Sequence, residues 1–456
     1  TYFKYKTTDM NRTPYWDSAF EYGLGRIPTY FGTTGILGMV LWLIFIVLLF
    51  AKSRHVFALF SKDRIASYLA FSLFLLVLYF WSMAFFYLPN ISIFALAFLF
   101  TGALIAFFVS EGVFGVFRIS FENKARVSYL ITPLMVILFA GIFASSLLLY
   151  RQFSSLVAFR DAQFALNAGK INDAEVELRK AIALAERDVY LRSLSSIGII
   201  KLKGLTTSDL PKEQLAQLAN EFVGLARVNA ERAIELDPTN FENYYQLGAV
   251  YDTFNAIGIQ NAVPNARQGY QSALALNPKS PSLLFILGRF ELVAGDRALA
   301  KTYLHKALTE RPNFVEPISM LIQLEIEDGN AENAMKILQN AVNAEPTNFL
   351  LHFALGYLYY GTGTYDEAQR HFEYAVYINP VYADAKYFLG LAYARRGLTD
   401  NAIAQFEDVA TLNPENKDVA KIIRTLKSGK NLFESSYTPP VESVADALGE
   451  PGSTGN

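Results

Sequence analysis

Charged side chains are missing from long stretches of the first third of the chain, and beyond them they return in a helical rhythm. Residues 34–51 carry no charge and stop at Lys52 and Arg54, residues 65–110 carry none, and a further uncharged run covers 127–150. About 20 helical residues span a bilayer core, so the middle run holds two crossings. LPNIS at 88–92 divides it, because Pro89 disfavours helix at the residue before it and Asn90 suits a turn. The pattern predicts four membrane helices over 34–51, 65–87, 91–110 and 127–150. Buried helices of a soluble core are the competing reading, but such cores rarely run this far without a charge.

After Tyr150 the apolar positions adopt helical spacing, and the prolines keep time. Pro278, Pro312, Pro346, Pro380 and Pro414 stand 34 residues apart. A fixed period of this length marks stacked helical hairpins, which cannot bury their apolar faces alone. The clearest copy is residues 348–380, with Leu355, Gly356 and Tyr359 on a first helix, Ala368, Phe372 and Ala375 on a second, and Pro380 closing it. The next copy repeats Leu389, Gly390, Tyr393, Ala402, Phe406 and Pro414, whereas the copy over 315–348 has lost the Leu-Gly pair. Small residues suit the point where two helices approach, and proline ends the second helix. Upstream the register loosens. FNAIGIQNAVPN delays the copy that begins at Leu247, GLTTSDLPKEQ separates the helices of an earlier one, and Ala174, Leu178 and Ala181 mark the first. The copy at 348–380 and the one that follows it resemble the tetratricopeptide repeat, whose period is 34 residues.

The expected fold is therefore all-α: a segment 1–33, a membrane domain 34–150, and a solenoid 151–428. The solenoid has about seven hairpins, with 417–428 as a closing helix. The polar, Pro/Gly-rich stretch 429–456 has the composition of a disordered tail. Basic residues set the expected orientation. Lys52, Arg54, Lys62 and Arg64 occupy one loop and Arg118, Lys124 and Arg126 another, while the turn at Asn90 has none. Basic short loops face the cytoplasm, which predicts residues 1–33 and the solenoid on the extracytoplasmic side of the cytoplasmic membrane.

The formal net charge of −2 argues against a nucleic-acid partner. The absence of cysteine excludes disulfides, thiolate metal sites and a cysteine nucleophile. The four histidines, His55, His305, His352 and His371, lack metal-ligand spacing and read as surface polar residues, although His352 and His371 share one hairpin. The sequence points to no metal or cofactor. The predicted spans hold no Asp, Glu, Lys, Arg or His, which speaks against an ion path. By repeat register, Tyr245, Asp252, Phe285, Arg289, Phe353, Tyr357, Tyr360, Tyr387 and Arg395 fall on the inner face of the first helices. Rings with interspersed arginines give apolar area, hydroxyl handles and charge-assisted donors for a protein partner, although any one ring can equally be solenoid core. Tyr357 and Tyr360 are the best candidates, because Tyr359 already fills the packing position.

Residues 11–45, NRTPYWDSAFEYGLGRIPTYFGTTGILGMVLWLIF, hold the remaining signal. TTGILG entering a span resembles the E-T-G-(L/I)-(L/I)-G phrase that closes the large external loop of O-antigen ligase and polymerase-like membrane proteins. Some members of that family carry a C-terminal tetratricopeptide array, the order seen here. The resemblance implies the C-terminal part of a longer protein and a lipid-linked glycan as a second partner. Arg12 and Arg26 would then be its anion contacts, since guanidinium pairs bidentately with phosphate. Thr33 stands at the family's acidic position, and no histidine in 1–54 matches the ligase histidine. A non-enzymatic membrane-anchored scaffold is the alternative.

Overall fold

The computed structural model describes residues 2–13, 35–53, 56, 64–86, 91–112, 125–208 and 210–433. The described residues are helical, with no strand among them. They fall into two compact units, one drawn from residues 18–149 and the other from 1–17 together with 150–456.

The first unit contains α1 (Gly35–Ser53), α2 (Arg64–Phe86), α3 (Ile91–Ser110) and the start of α4 (Ala125–Asn167). All four are long and apolar enough to cross a membrane. Alanines let α2 and α3 approach, with Ala70, Ala84 and Ala97 fully buried. Trp42, Phe45, Trp81, Phe94 and Phe98 interlock beside them, and Phe45 and Trp81 lie 4.9 Å apart. The indole Nε1 of Trp81 donates to Thr101 Oγ1 at 2.9 Å, so the ring's polar edge is satisfied within the apolar layer. From Leu134 to Tyr150, by contrast, the large apolar side chains of α4 stand open.

The second unit is a stack of seven hairpins. The end of α4 pairs with α5 (Ile171–Leu184), α6 (Asp188–Gly204) with α7 (Lys212–Leu236), and α8 (Phe241–Ala256) with α9 (Ala262–Leu276). Then come α10 (Pro281–Val293) with α11 (Arg297–Glu310), α12 (Val315–Glu327) with α13 (Ala331–Ala344), and α14 (Phe349–Gly361) with α15 (Tyr365–Ile378). The last pair is α16 (Ala383–Arg395) with α17 (Thr399–Leu412), closed by α18 (Lys417–Lys427). Helix α4 does not end with the uncharged run at Tyr150. It continues to Asn167, and its Ala158 and Ala162 are buried against Ala174, Leu178 and Ala181.

Two devices repeat along the array. Each 34-residue proline sits two residues past a second helix, where it blocks continuation. Gly295, Gly329, Gly363 and Gly397 keep the same spacing after the first helices, and their positive φ of 92°, 77°, 80° and 75° turns the chain where a side chain would be strained. Within hairpins the backbones nearly touch. A Cβ on Gly269 would meet the Gly248 nitrogen at 2.6 Å, and one on Gly356 would meet the Phe372 ring at 2.8 Å.

Ion pairs tie consecutive hairpins. Arg267 holds the fully buried Glu291 through two bonds of 2.7 and 2.6 Å. The pair recurs 34 residues on, where Lys301 binds Glu325 at 2.7 Å and Asp328 at 2.6 Å. Burial alone would raise the Glu325 carboxyl, but the bonds from Lys301 and Asn330 outweigh it and hold the group below the usual range.

Two segments outside the repeats also belong to this unit. A helical turn at Tyr2–Tyr5 lies against α9, and a 3-10 turn at Thr8–Arg12 lies against α11. The buried Asn11 donates from Nδ2 to the Lys279 carbonyl at 2.7 Å and to Glu310 Oε2 at 3.2 Å. At the other end Leu432 is buried and Phe433 packs against the last hairpins, so both belong to the solenoid rather than to the tail that the composition assigned from 429 onward.

Removing one member of a buried pair strands the other, so Arg267→Ala should cost about 3 kcal/mol. Arg267→Met combined with Glu291→Leu should recover most of that loss. Urea unfolding of the cycle formed by the native protein, Arg267→Met, Glu291→Leu and the double variant checks this, and a double-variant loss equal to the sum of the two single losses would show that the pair contributes no coupling.

Candidate functional site

The first-helix residues singled out by register separate into three groups. Near α8, the Tyr270 hydroxyl donates to Asp252 Oδ2 at 3.3 Å, and Tyr245 packs 5.9 Å from the Tyr270 ring. Burial raises the Asp252 carboxyl, while the Tyr270 bond and the Arg289 and Lys203 charges oppose it. Tyr245, Asp252 and Arg289 therefore form one neighbourhood, with Arg289 exposed at its rim. Phe285 stands apart, half-buried and edge-on to Phe314 at 5.6 Å.

The third group lies on α14 and α16. Phe353 is 1% exposed and its ring sits against Phe372, Tyr382 and Phe388. It is core, not groove, because its register position turns toward the next hairpin. Tyr357 is half-buried and meets Phe388 edge-on at 5.1 Å, and Tyr387 meets Phe406 at 5.6 Å. These two rings pack with one face and present the other. Tyr359 stacks on His371 at 5.6 Å, the packing role expected of it.

Tyr360 is the most informative member. Its ring meets Tyr365 at 5.3 Å, and its hydroxyl is buried beside the Arg395 guanidinium. Burial pushes this phenol up, and the Arg395 guanidinium pulls against that. Arg395 itself is exposed and lies over the Phe433 ring at 3.5 Å and the Tyr365 ring at 5.7 Å. Phe433 escaped the sequence reading because it was grouped with the tail. The adjacent apolar pair Leu432 and Phe433, just past the closing helix, was the available signal. Arg12 belongs to the N-terminal 3-10 turn, and Arg26 lies outside the described residues.

His352 and His371 are not surface residues. His352 is 7% exposed, and its Nδ1 faces His371 Nδ1 at 3.1 Å. Its Nε2 meets the Pro346 carbonyl, a pure acceptor, at 3.0 Å. Nε2 must therefore carry the proton, which leaves Nδ1 as acceptor and makes His371 the donor. Protonating His352 at Nδ1 would set two N–H groups against each other. Among the described residues no cluster of three or more potential metal ligands is present.

A family model described as tetratricopeptide repeat matches residues 353–417. Anaphase-promoting complex subunit 7 of Homo sapiens is 27% identical over 177 residues, covering 39% of this chain and 28% of the relative. The chain thus spans under a third of that curated relative's length. Among solved structures, MamA shares 22% identity over 39% of this chain and 94% of its own, with a TM-score of 0.31. YrrB, a TPR protein with an unusual peptide-binding site, shares 21% over 43% of this chain and 97% of its own, with a TM-score of 0.33.

The histidine pair gives a pH dependence. Burial lowers both rings, most strongly His371, which falls to about 4 under burial and the charges of His352 and Arg370. A base whose folded pKa lies below its unfolded value of about 6.5 stabilises the fold above that value and loses the contribution as pH falls. Melting of the repeats by circular dichroism should therefore drop between about pH 6.5 and about 4. His352→Gln with His371→Gln should flatten that slope, and an unchanged slope would assign it to other groups.

Proposed function

We propose, from a chain whose repeat array is a tetratricopeptide-repeat protein-interaction module, that four membrane helices hold this array on the extracytoplasmic side to capture a protein partner. The observation that carries the reading is one of parity. Residues 2–13 dock on the repeats through Asn11, so the segment before the first apolar helix and the array after the last share one side. An even number of crossings between them meets that requirement, and among the described residues four apolar helices lie between. The open apolar face of α4 from Leu134 onward suits lipid, since large exposed apolar surfaces mark membrane or protein contact. The basic loops around Lys52–Arg64 and Arg118–Arg126 suit the cytoplasmic face.

In its finer form, the chain is the C-terminal part of an O-antigen ligase-like envelope glycan ligase or polymerase. TTGILG at the entry to α1 and the order of membrane helices before repeats support this. Arg12 and Arg26 would meet the diphosphate of a lipid-linked glycan, and the array would recruit the protein that works with the enzyme. The missing histidine in residues 1–54 favours a second reading, a scaffold for an envelope complex with no transferase step in these residues.

The chain has no native cysteine, so single introduced thiols report topology cleanly. Tyr377 is 80% exposed on α15, and Ser61 lies in the first basic loop. A membrane-impermeant maleimide should label Tyr377→Cys in cells with an intact cytoplasmic membrane, and label Ser61→Cys only after lysis. The reverse pattern would place the repeats inside the cell and remove the envelope role.

A further inference from the structure

A groove of about 820 Å³ lies between α11 and α13, the second helices of consecutive hairpins, away from the first-helix rings described above. Its origin is legible in the repeat register. Gly288 and Gly356 let their partner helices close in, but the residue midway between them, 34 from each, is the fully buried Ile322. Ile322 and the equally buried Leu338 both take space inside this hairpin, and α12 and α13 approach less closely than the helices of the hairpins on either side. Space is left beside α13. Leu308 and Ile337 give the groove an apolar floor, and Asn313, Asn340 and Asn343 give it amide walls.

The register also indicates what the groove takes. One repeat upstream the equivalent surface is occupied by the chain's own N-terminal segment, whose Asn11 donates to the Lys279 carbonyl and to Glu310. Adding 34 turns Lys279 into Asn313 and Glu310 into Ala344, and both line the groove, with the Glu345 carboxylate one residue further on. The backbone acceptor thus recurs in place, and the carboxylate recurs shifted by one position. Glu345 already accepts from Asn313 and from Asn348, the latter at 3.1 Å, which holds it still while leaving acceptor capacity. Asn343 is engaged by Gln339 at 3.2 Å. The exposed Asn340 amide has no partner among the described residues. A side-chain amide both donates and accepts, which matches the alternating N–H and C=O groups of a peptide backbone.

We infer that the α11–α13 groove is a second docking site, taking a short peptide segment of a partner protein that presents a side-chain N–H donor as Asn11 does one repeat earlier. The site is independent of the first-helix rings and of membrane topology, so its failure leaves the proposed function standing, and the converse holds.

The test uses the full chain in detergent and a fluorescein-labelled synthetic peptide of residues 2–13. Anisotropy should show saturable binding, weakened at least about tenfold by Asn340→Ala with Asn343→Ala and unchanged by Glu310→Ala. Both positions are exposed, and an unaltered circular-dichroism spectrum confirms that the double variant folds. Binding lost with Glu310→Ala but kept in the asparagine variant would mean that the peptide merely displaces the native segment, and would overturn the assignment. No binding up to about 1 mM would overturn it too. So would chitohexaose binding that depends on Asn340 and Asn343 while the peptide stays silent, which would make the groove a glycan site.

Discussion

Close approach of two helices at one small residue per hairpin is the constraint on which the repeat unit depends. Gly198 faces the Ala226 backbone, Gly248 faces Gly269 and Tyr270, Gly288 faces Leu304, Gly356 faces Phe372, and Gly390 faces Phe406, all with no room for a Cβ. Interiors are packed like crystals, so such a contact fixes helix separation to a fraction of an ångström. With that separation fixed, each hairpin offers the same apolar surface to the next, and the stack can grow. The prolines and the positive-φ glycines then only have to end helices at constant intervals.

The same constraint places the chemistry. Because successive hairpins superpose in register, a cation on one second helix meets a carboxylate on the following first helix twice over, as Arg267 with Glu291 and Lys301 with Glu325. The ring-rich surface of α14 and α16 arises where consecutive first helices bring Tyr357, Tyr360 and Arg395 to one side. The hairpin in which the small residue is replaced, at Ile322, is also the one that borders the α11–α13 groove. A departure from the repeat pattern is thus where a stacked array gains a feature its copies lack.

Much of this was legible in the residues, for physical reasons that differ by element. Uncharged runs of membrane length announce themselves, and the 34-residue prolines mark every later hairpin. That one helix, α4, carries both the last uncharged run and the first repeat helix is less legible, because hydropathy stops at Tyr150 while helical spacing continues through Ala158 and Ala162. Phe353 was misplaced because register alone cannot tell a ring that faces ligand from one that faces the next hairpin. The His352–His371 contact was open to suspicion from a shared hairpin, but its burial depends on Tyr374 and Tyr359 closing over the rings. The docking of Asn11 joins residues 268 and 299 positions apart, and no local pattern encodes it.

Hydrogen–deuterium exchange of Gly356→Val tests the packing constraint most directly. A Cβ there would lie 2.8 Å from the buried Phe372 ring, and overpacking of this kind costs about 1–3 kcal/mol. Exchange should quicken in α14, α15 and the neighbouring α16 and stay unchanged in α5 and α6, since a solenoid's hairpins couple mainly to their neighbours. Unaltered protection throughout α14–α16 would contradict the account, for it would mean that helix separation in the array is set by something other than its small residues.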